Sequence, residues 1–197
     1  VLFFKLRLFK SISFMKIQYS YLKNFLQTKL SQKELAHVFT QVGFECEIDG
    51  DLIEFDITPN RGDVLSLKGL EREFCAYQVK KPNSCLEIFK LKLKKDNKII
   101  NQIDHSGCGN YHLMLIEGLR KIKDLDAKKL SFIESAGIPL IHPLVDLGNY
   151  VMLEIGAPMH VFDSDKLELP ITVKFPTSKK NSLEVIGGDI KDVQSSS

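Results

Sequence analysis

The sequence predicts an α+β fold, and three observations carry that prediction. Helical and strand periodicities both occur, in no strict strand–helix–strand rhythm. The composition, 44% hydrophobic and 26% charged, is ordinary for a globular chain and argues against wholesale disorder. The length, 197 residues, suits one domain or two small ones and buries enough surface to fold without disulfide staples. The formal net charge of +2 excludes a strongly basic nucleic-acid binder. No apolar run reaches the roughly 18 residues that a membrane span needs.

Residues 1–14 are aromatic and basic without a single acid, and the first methionine is Met15. They lack the uninterrupted apolar stretch and cleavage site of a signal peptide. An amphipathic anchor or a strand would fit; an extra segment outside the fold fits better. Residues 15–82 are expected to form a small helical module. Met15 to Phe44 reads as two short helices, with Ser31-Gln32-Lys33-Glu34 as a capping box, Leu30 and Leu35 as its staple, and Gly43 as a stop. Leu35, Val38, Phe39 and Val42 recur at helical spacing. Leu52 to Ile57 alternates as a half-buried strand and runs into a turn, Thr58-Pro59-Asn60-Arg61-Gly62-Asp63. Asp63 is the expected cap of a helix whose apolar face is Leu67, Leu70 and Phe74.

The pattern breaks at Lys81-Pro82-Asn83-Ser84, so residues 83–197 are expected to form a second, mixed α/β domain. Strands are expected at Leu86 to Leu93, at Leu113 to Ile116, and around Ile171, Val173 and Phe175. Helices are expected over Lys128 to Ala136 and Leu144 to Ile155, stopped by Gly137 and by Gly156 with Pro158. Gly187-Gly188 suggests a hairpin turn.

Neither GxGxxG nor GxxxxGK[ST] occurs, and there is no HExxH or GxSxG, which removes several enzyme classes. Cys46, Cys75, Cys85 and Cys108 form no CxxC pair and read as free buried thiols, as in a reducing, cytoplasmic setting. The densest chemistry runs from His142 to Asp165. A helix carrying Asp146, Asn149 and Tyr150 is followed by Gly156-Ala157-Pro158, a turn able to fold Met159-His160 back over it. Asn149 and His160 could then orient a water or hold an ester carbonyl. The plainer alternative is that Asp146 and Asn149 cap local backbone while His160 is a satisfied core histidine. Asp163 and Asp165 resemble a two-carboxylate metal site, although turn capping suits Asp-Ser-Asp better. Arg61-Gly62-Asp63 spells an adhesion tripeptide by coincidence of common residues. Lys90 to Lys129 holds ten Lys/Arg and five Asp/Glu, a local +5 that could meet phosphates or form a solvated face.

Taken together, these segments resemble the N-terminal part of the bacterial phenylalanine–tRNA ligase beta chain. Met15-Lys16-Ile17 with Tyr21-Leu22 is similar to that chain's start, and Leu35 to Glu47 to its first helical module. Phe55 to Ser66, with Thr58, Pro59, Asn60, Arg61 and Asp63, resembles the I-T-P-N-R-x-D-C-L-S signature. Tyr111 sits where an Arg-Tyr pair opens the family's editing module. Leu144 to Glu154, with Asp146, Asn149, Tyr150 and Glu154, resembles V-V-D-V-T-N-Y-V-M-L-E. Gly156 to Asp163, with Pro158, His160, Phe162 and Asp163, resembles G-Q-P-M-H-A-F-D.

The resemblance implies a beta-chain fragment or compact form whose second domain is of editing type and incomplete at its C-terminus. Its expected partners are phenylalanine tRNA, weakly or only on assembly, and an alpha chain; no membrane is implied. ATP and magnesium would belong to the alpha-chain site, so no cofactor or metal is expected here. His160 and Asn149 match editing-pocket positions of a site that hydrolyses mischarged tyrosyl-tRNA, which must hydrogen-bond the tyrosine hydroxyl. Gly148 replaces the threonine that precedes the family's asparagine, and only Cys46 to Asp51 stands where an oligonucleotide-binding barrel is usually inserted. Two rival expectations are a structural remnant that only packs against an alpha chain and a stand-alone ester hydrolase acting on mischarged tRNA in trans.

Overall fold

The computed structural model describes residues 14–82, 100–104, 108–119, 121–175, 181–184 and 190–193. These fall into two compact units. One, the core unit, is drawn from residues 7–86 and 122–161; the other, the ladder unit, from 87–121 and 162–197. The chain therefore does not divide linearly at residue 83, because 122–161 packs with the N-terminal module.

The core unit is built on a three-stranded antiparallel sheet ordered β1-β3-β2: β1 is Phe14–Gln18, β2 Glu45–Asp49 and β3 Leu52–Asp56. Met15 and Ile17 of β1 are buried and pair with Phe55 and Ile53 of β3, both fully buried, while Lys16 faces outward. That period of two is the strand signature. Met15 to Gln18 is thus a strand, against the expected helix, and Phe14 is part of the fold. Four alternating residues before a helix are too few to announce a strand until a partner supplies the ladder. β2 replaces what was expected to be a mere connector. It turns into β3 through Gly50-Asp51, whose backbone is held by α1 and α2. The Tyr19 N–H donates to the Asp51 carbonyl at 2.7 Å, and the Gln32 amide to the Gly50 carbonyl at 2.9 Å.

Helix α1 (Tyr19–Phe25) and α2 (Gln32–Gln41) cover the sheet's apolar face. The α2 capping box forms as expected: the Ser31 hydroxyl accepts from the Glu34 N–H, and the Glu34 carboxylate accepts from the Ser31 N–H. Leu35, Ala36, Val38 and Phe39 are buried, and the Phe39 ring stands edge-on to Phe55 at 5.0 Å. Helix α3 (Leu67–Tyr77) buries Leu67, Leu70 and Phe74. Its cap is Ser66, whose hydroxyl accepts from the Gly69 N–H at 3.1 Å, in place of the expected Asp63. Asp63 lies in a preceding 3-10 turn, Gly62–Val64, where Arg61 holds its side chain.

Helix α4 (Ala127–Ser135) is capped by Asp126, and α5 (Pro143–Ile155) by His142, with Pro143 first and Gly156 left-handed at its end. Both contribute to the same core. Phe132 of α4 stacks on Tyr21 of α1 at 4.3 Å and meets Tyr150 of α5 edge-on at 6.4 Å. Gln18 of β1 donates to the Ser131 hydroxyl at 3.2 Å.

Among its described residues, the ladder unit has two two-stranded sheets. β4 (Ile100–Ile103) pairs in parallel with β5 (Ile171–Val173), and β6 (Asn181–Glu184) pairs antiparallel with β7 (Ile190–Val193). Phe175 falls outside β5. The β6–β7 register brackets residues 185–189, so the expected Gly187-Gly188 turn lies outside the described residues, as does the expected strand at Leu86 to Leu93. Leu113 to Ile116 joins no ladder, contrary to expectation, and Met114 and Ile116 are more than half exposed. Alternation alone does not make a strand when no described neighbour supplies hydrogen bonds. Among the described residues, no helix is long and apolar enough to cross a membrane.

Candidate functional site

The Thr58–Ser66 segment is a self-satisfied turn. The Arg61 N–H donates to the Thr58 carbonyl at 2.9 Å, closing it. The Arg61 guanidinium donates to both Asp63 oxygens, at 3.0 and 3.1 Å, and to Glu73 at 2.6 Å. It also lies over the Phe44 ring, 5.2 Å from the centroid. These bonds hold the Asp63 carboxyl below its ordinary range and keep Arg61 protonated. Arg61 and Asp63 therefore act as a clamp between the turn and α3, while Thr58, Pro59 and Asn60 are exposed.

The clamp seats α3 closely. A Cβ at Gly69 would fall 2.3 Å from the Asp63 carbonyl oxygen, so only glycine fits. Two residues along, Glu71 is buried and pairs with Lys68 at 2.9 Å, and the Lys68 ammonium covers the Phe25 ring. Sequence reasoning missed Ser66, Gly69 and Glu71. The available signal for Ser66 was a serine directly before an apolar helical face.

The second segment converges on the first. Gly156, which ends α5, lies against Ser66: a Cβ there would be 3.5 Å from the Ser66 side chain. Its left-handed φ of 81° is one that glycine adopts without penalty. The following turn then returns over α5, since the Met159 carbonyl sits 3.9 Å from where a Gly148 Cβ would be. The residue before His160 is thus laid on the residue before Asn149. His160 itself is exposed.

Within α5, Asp146 is buried and accepts from the Ile141 N–H at 3.0 Å, the local backbone cap that spacing allowed. Asn149 is only 9% exposed; among the described residues its side chain has no hydrogen bond, and its amide keeps access to solvent. Tyr150 is buried and accepts from the Tyr21 hydroxyl at 3.2 Å. Burial raises the Tyr150 phenol above its ordinary range, and the Tyr21 bond and nearby Glu154 add to the shift. Lys129 lies over the Tyr150 ring, 5.6 Å from its centroid.

In the ladder unit, Tyr111 and Phe162 are half-buried. Asp163 serves as a cap, accepting from the Asp165 N–H at 3.2 Å and pairing with Lys166 at 3.5 Å. Among the described residues, no group of three His, Cys, Asp or Glu is placed to hold a metal ion. Cys46, Cys75 and Cys108 are free thiols, half-buried where full burial was expected. Burial pushes the Cys46 thiol up to about 12, which makes it a poor nucleophile.

The B3/4 domain family matches residues 107–196, a stretch that takes in α4 and α5 of the core unit. Phenylalanine–tRNA ligase beta subunits are similar over most of the chain. That of Neisseria gonorrhoeae is 38% identical over 147 residues, 72% of this chain and 18% of that protein. That of Francisella tularensis is 36% identical over 141 residues, 71% and 18% respectively. That of Aquifex aeolicus is 36% identical over 131 residues, 62% and 15%. The chain spans less than a fifth of the length of these relatives.

Proposed function

This chain is a homologue of the phenylalanine–tRNA ligase beta subunits, and from that premise we propose that it works as a fragment or compact form of one. In this reading it acts in the cytoplasm, in an assembly with an alpha chain and phenylalanine tRNA. Aminoacylation chemistry, with its ATP and magnesium, falls to the alpha chain. The observation that carries the reading is the meeting of Ser66 and Gly156, which joins the Phe55–Ser66 signature to the helix and turn of the second within one compact unit. Titration with phenylalanine tRNA at low and moderate salt tests it, with binding expected to weaken as salt rises. No binding at low salt overturns it, and co-purification with an alpha chain despite that would leave a structural remnant.

One observation favours a second reading, hydrolysis of tyrosyl-tRNA in trans. The Asn149 side chain is only 9% exposed and lies on the helix over which the loop carrying His160 returns. An amide so placed can hold an ester carbonyl or a water. Incubating tyrosyl-tRNA with the wild-type chain and with His160→Ala decides it. Equal rates end the idea.

A further inference from the structure

We propose that Tyr21, on the N-terminal helix α1, is the positioning residue that aims Asn149 on α5. The inference deepens the reading of Asn149 given above and names a residue outside both signature segments.

Among the described residues, no hydrogen bond holds the Asn149 side chain, which is 9% exposed. Its direction is inherited from how α5 is placed, in depth and in rotation. Depth is fixed at the helix end, where Gly156 rests against Ser66. Rotation is fixed by the next residue along, Tyr150. Its ring is buried edge-on to Phe132, Lys129 covers it, and its hydroxyl accepts from Tyr21. Tyr21 is itself anchored by stacking on Phe132, with ring planes 7° apart. A side-chain amide about 6 Å from the helix axis moves by ~1 Å for each ten degrees of helix rotation. Misplacement on that scale is enough to weaken a directed hydrogen bond. Packing of Phe132 and Tyr150 sets the helix roughly, and the directional Tyr21–Tyr150 bond removes the remaining freedom. The bond spans 129 residues of sequence, so helix α1 reaches α5 directly through a side-chain hydroxyl.

The test uses the whole chain and no RNA, so it is independent of whether the proposed function holds. The Asn149 side-chain amide pair is assigned in a proton–nitrogen NMR spectrum by its loss in Asn149→Ala. Tyr21→Phe keeps the ring stack and deletes only the hydroxyl. Tyr19→Phe, which deletes a hydroxyl bonded to the Leu30 carbonyl at 2.9 Å, is the control for general loosening of the same module. Tyr21→Phe is expected to shift the Asn149 pair beyond the change seen in Tyr19→Phe. Tyr150→Phe should do the same, and the double variant should add nothing further. An unmoved Asn149 pair in Tyr21→Phe, whatever the melting temperature does, overturns the proposal. Should Tyr21→Phe fail to fold, Tyr150→Phe reads the same bond from its other side.

Discussion

The core unit and the ladder unit of this chain use their apolar residues differently. In the core unit, three strands and five helices turn Ile17, Leu22, Leu35, Phe39, Ile53, Phe55, Leu70 and Phe132 inward until each is fully buried. In the ladder unit, the described strands come in pairs, and Met114, Leu115, Ile116 and Leu119 all stand about half exposed or more. Two-stranded ladders are marginal without a face to pack against. Stability therefore resides in the core unit, and substitutions of similar size should have very unequal effects in the two.

The sharpest way to break that contrast is to empty the core. Phe39→Ala removes a ring packed against Phe55 and Phe74 and is expected to cost about 3–5 kcal/mol, enough to unfold a marginal domain. Met114→Ala in the ladder unit should stay within about 0.5 kcal/mol. Urea denaturation of both variants reads the difference, and equal costs would remove the distinction. Next comes Gly69→Ala, which drives a methyl into the Asp63 carbonyl and the Val64 backbone. It should cost about 3 kcal/mol, whereas Gly109→Ala, with nothing within 4 Å, should be near neutral in the same assay.

A third change sharpens the comparison by adding stability. Val79, 93% exposed, follows α3 with a φ of 55°, a left-handed conformation that costs a β-branched residue heavily. Val79→Gly is expected to stabilise the core unit by about 1 kcal/mol, seen as a raised melting temperature. The smallest effect is acidic. The Ser31 hydroxyl and N–H hold the Glu34 carboxyl below its ordinary range. A lowered folded pKa means stability that is present above the ordinary carboxylate value and lost as pH falls through the folded one. Ser31→Ala removes the hydroxyl but keeps the N–H, so it should move the Glu34 titration, followed by NMR, part of the way back toward the ordinary range and lessen the core unit's stability loss below about pH 4.

The parts of this fold that were legible in the sequence are those where a local signal and a buried face coincide. Ser31 and Glu34 cap α2 because both cap partners lie within one turn of an apolar stripe. Pro143 and Gly156 mark α5 for similar reasons. β1 was missed because its ladder is supplied by β3, centred 38 residues away at Lys16–Glu54, and β2 because its outward side chains are nearly all acidic. Asp63 and Ser66 are equally competent caps on paper; only the Arg61 clamp decides between them. The packing of α4 and α5 into the N-terminal module was invisible for a like reason. Tyr21, Phe132 and Tyr150 carry no motif, and their contact is a fact of three dimensions. At the candidate site, the residue types of Asn149 and His160 were readable, but the burial of one and the exposure of the other were not.

The discontinuity of the core unit has a consequence for how the chain can be assembled and altered. Its two parts are separated by the 35 residues 87–121. Bringing α4 and α5 onto the sheet closes that loop at an entropic cost of about 3 kcal/mol by a simple polymer estimate. Because the cost grows with the logarithm of loop length, doubling the loop adds only about 0.6 kcal/mol. By this polymer estimate, changes of length between α3 and α4 should alter the closure cost of the core unit only slightly.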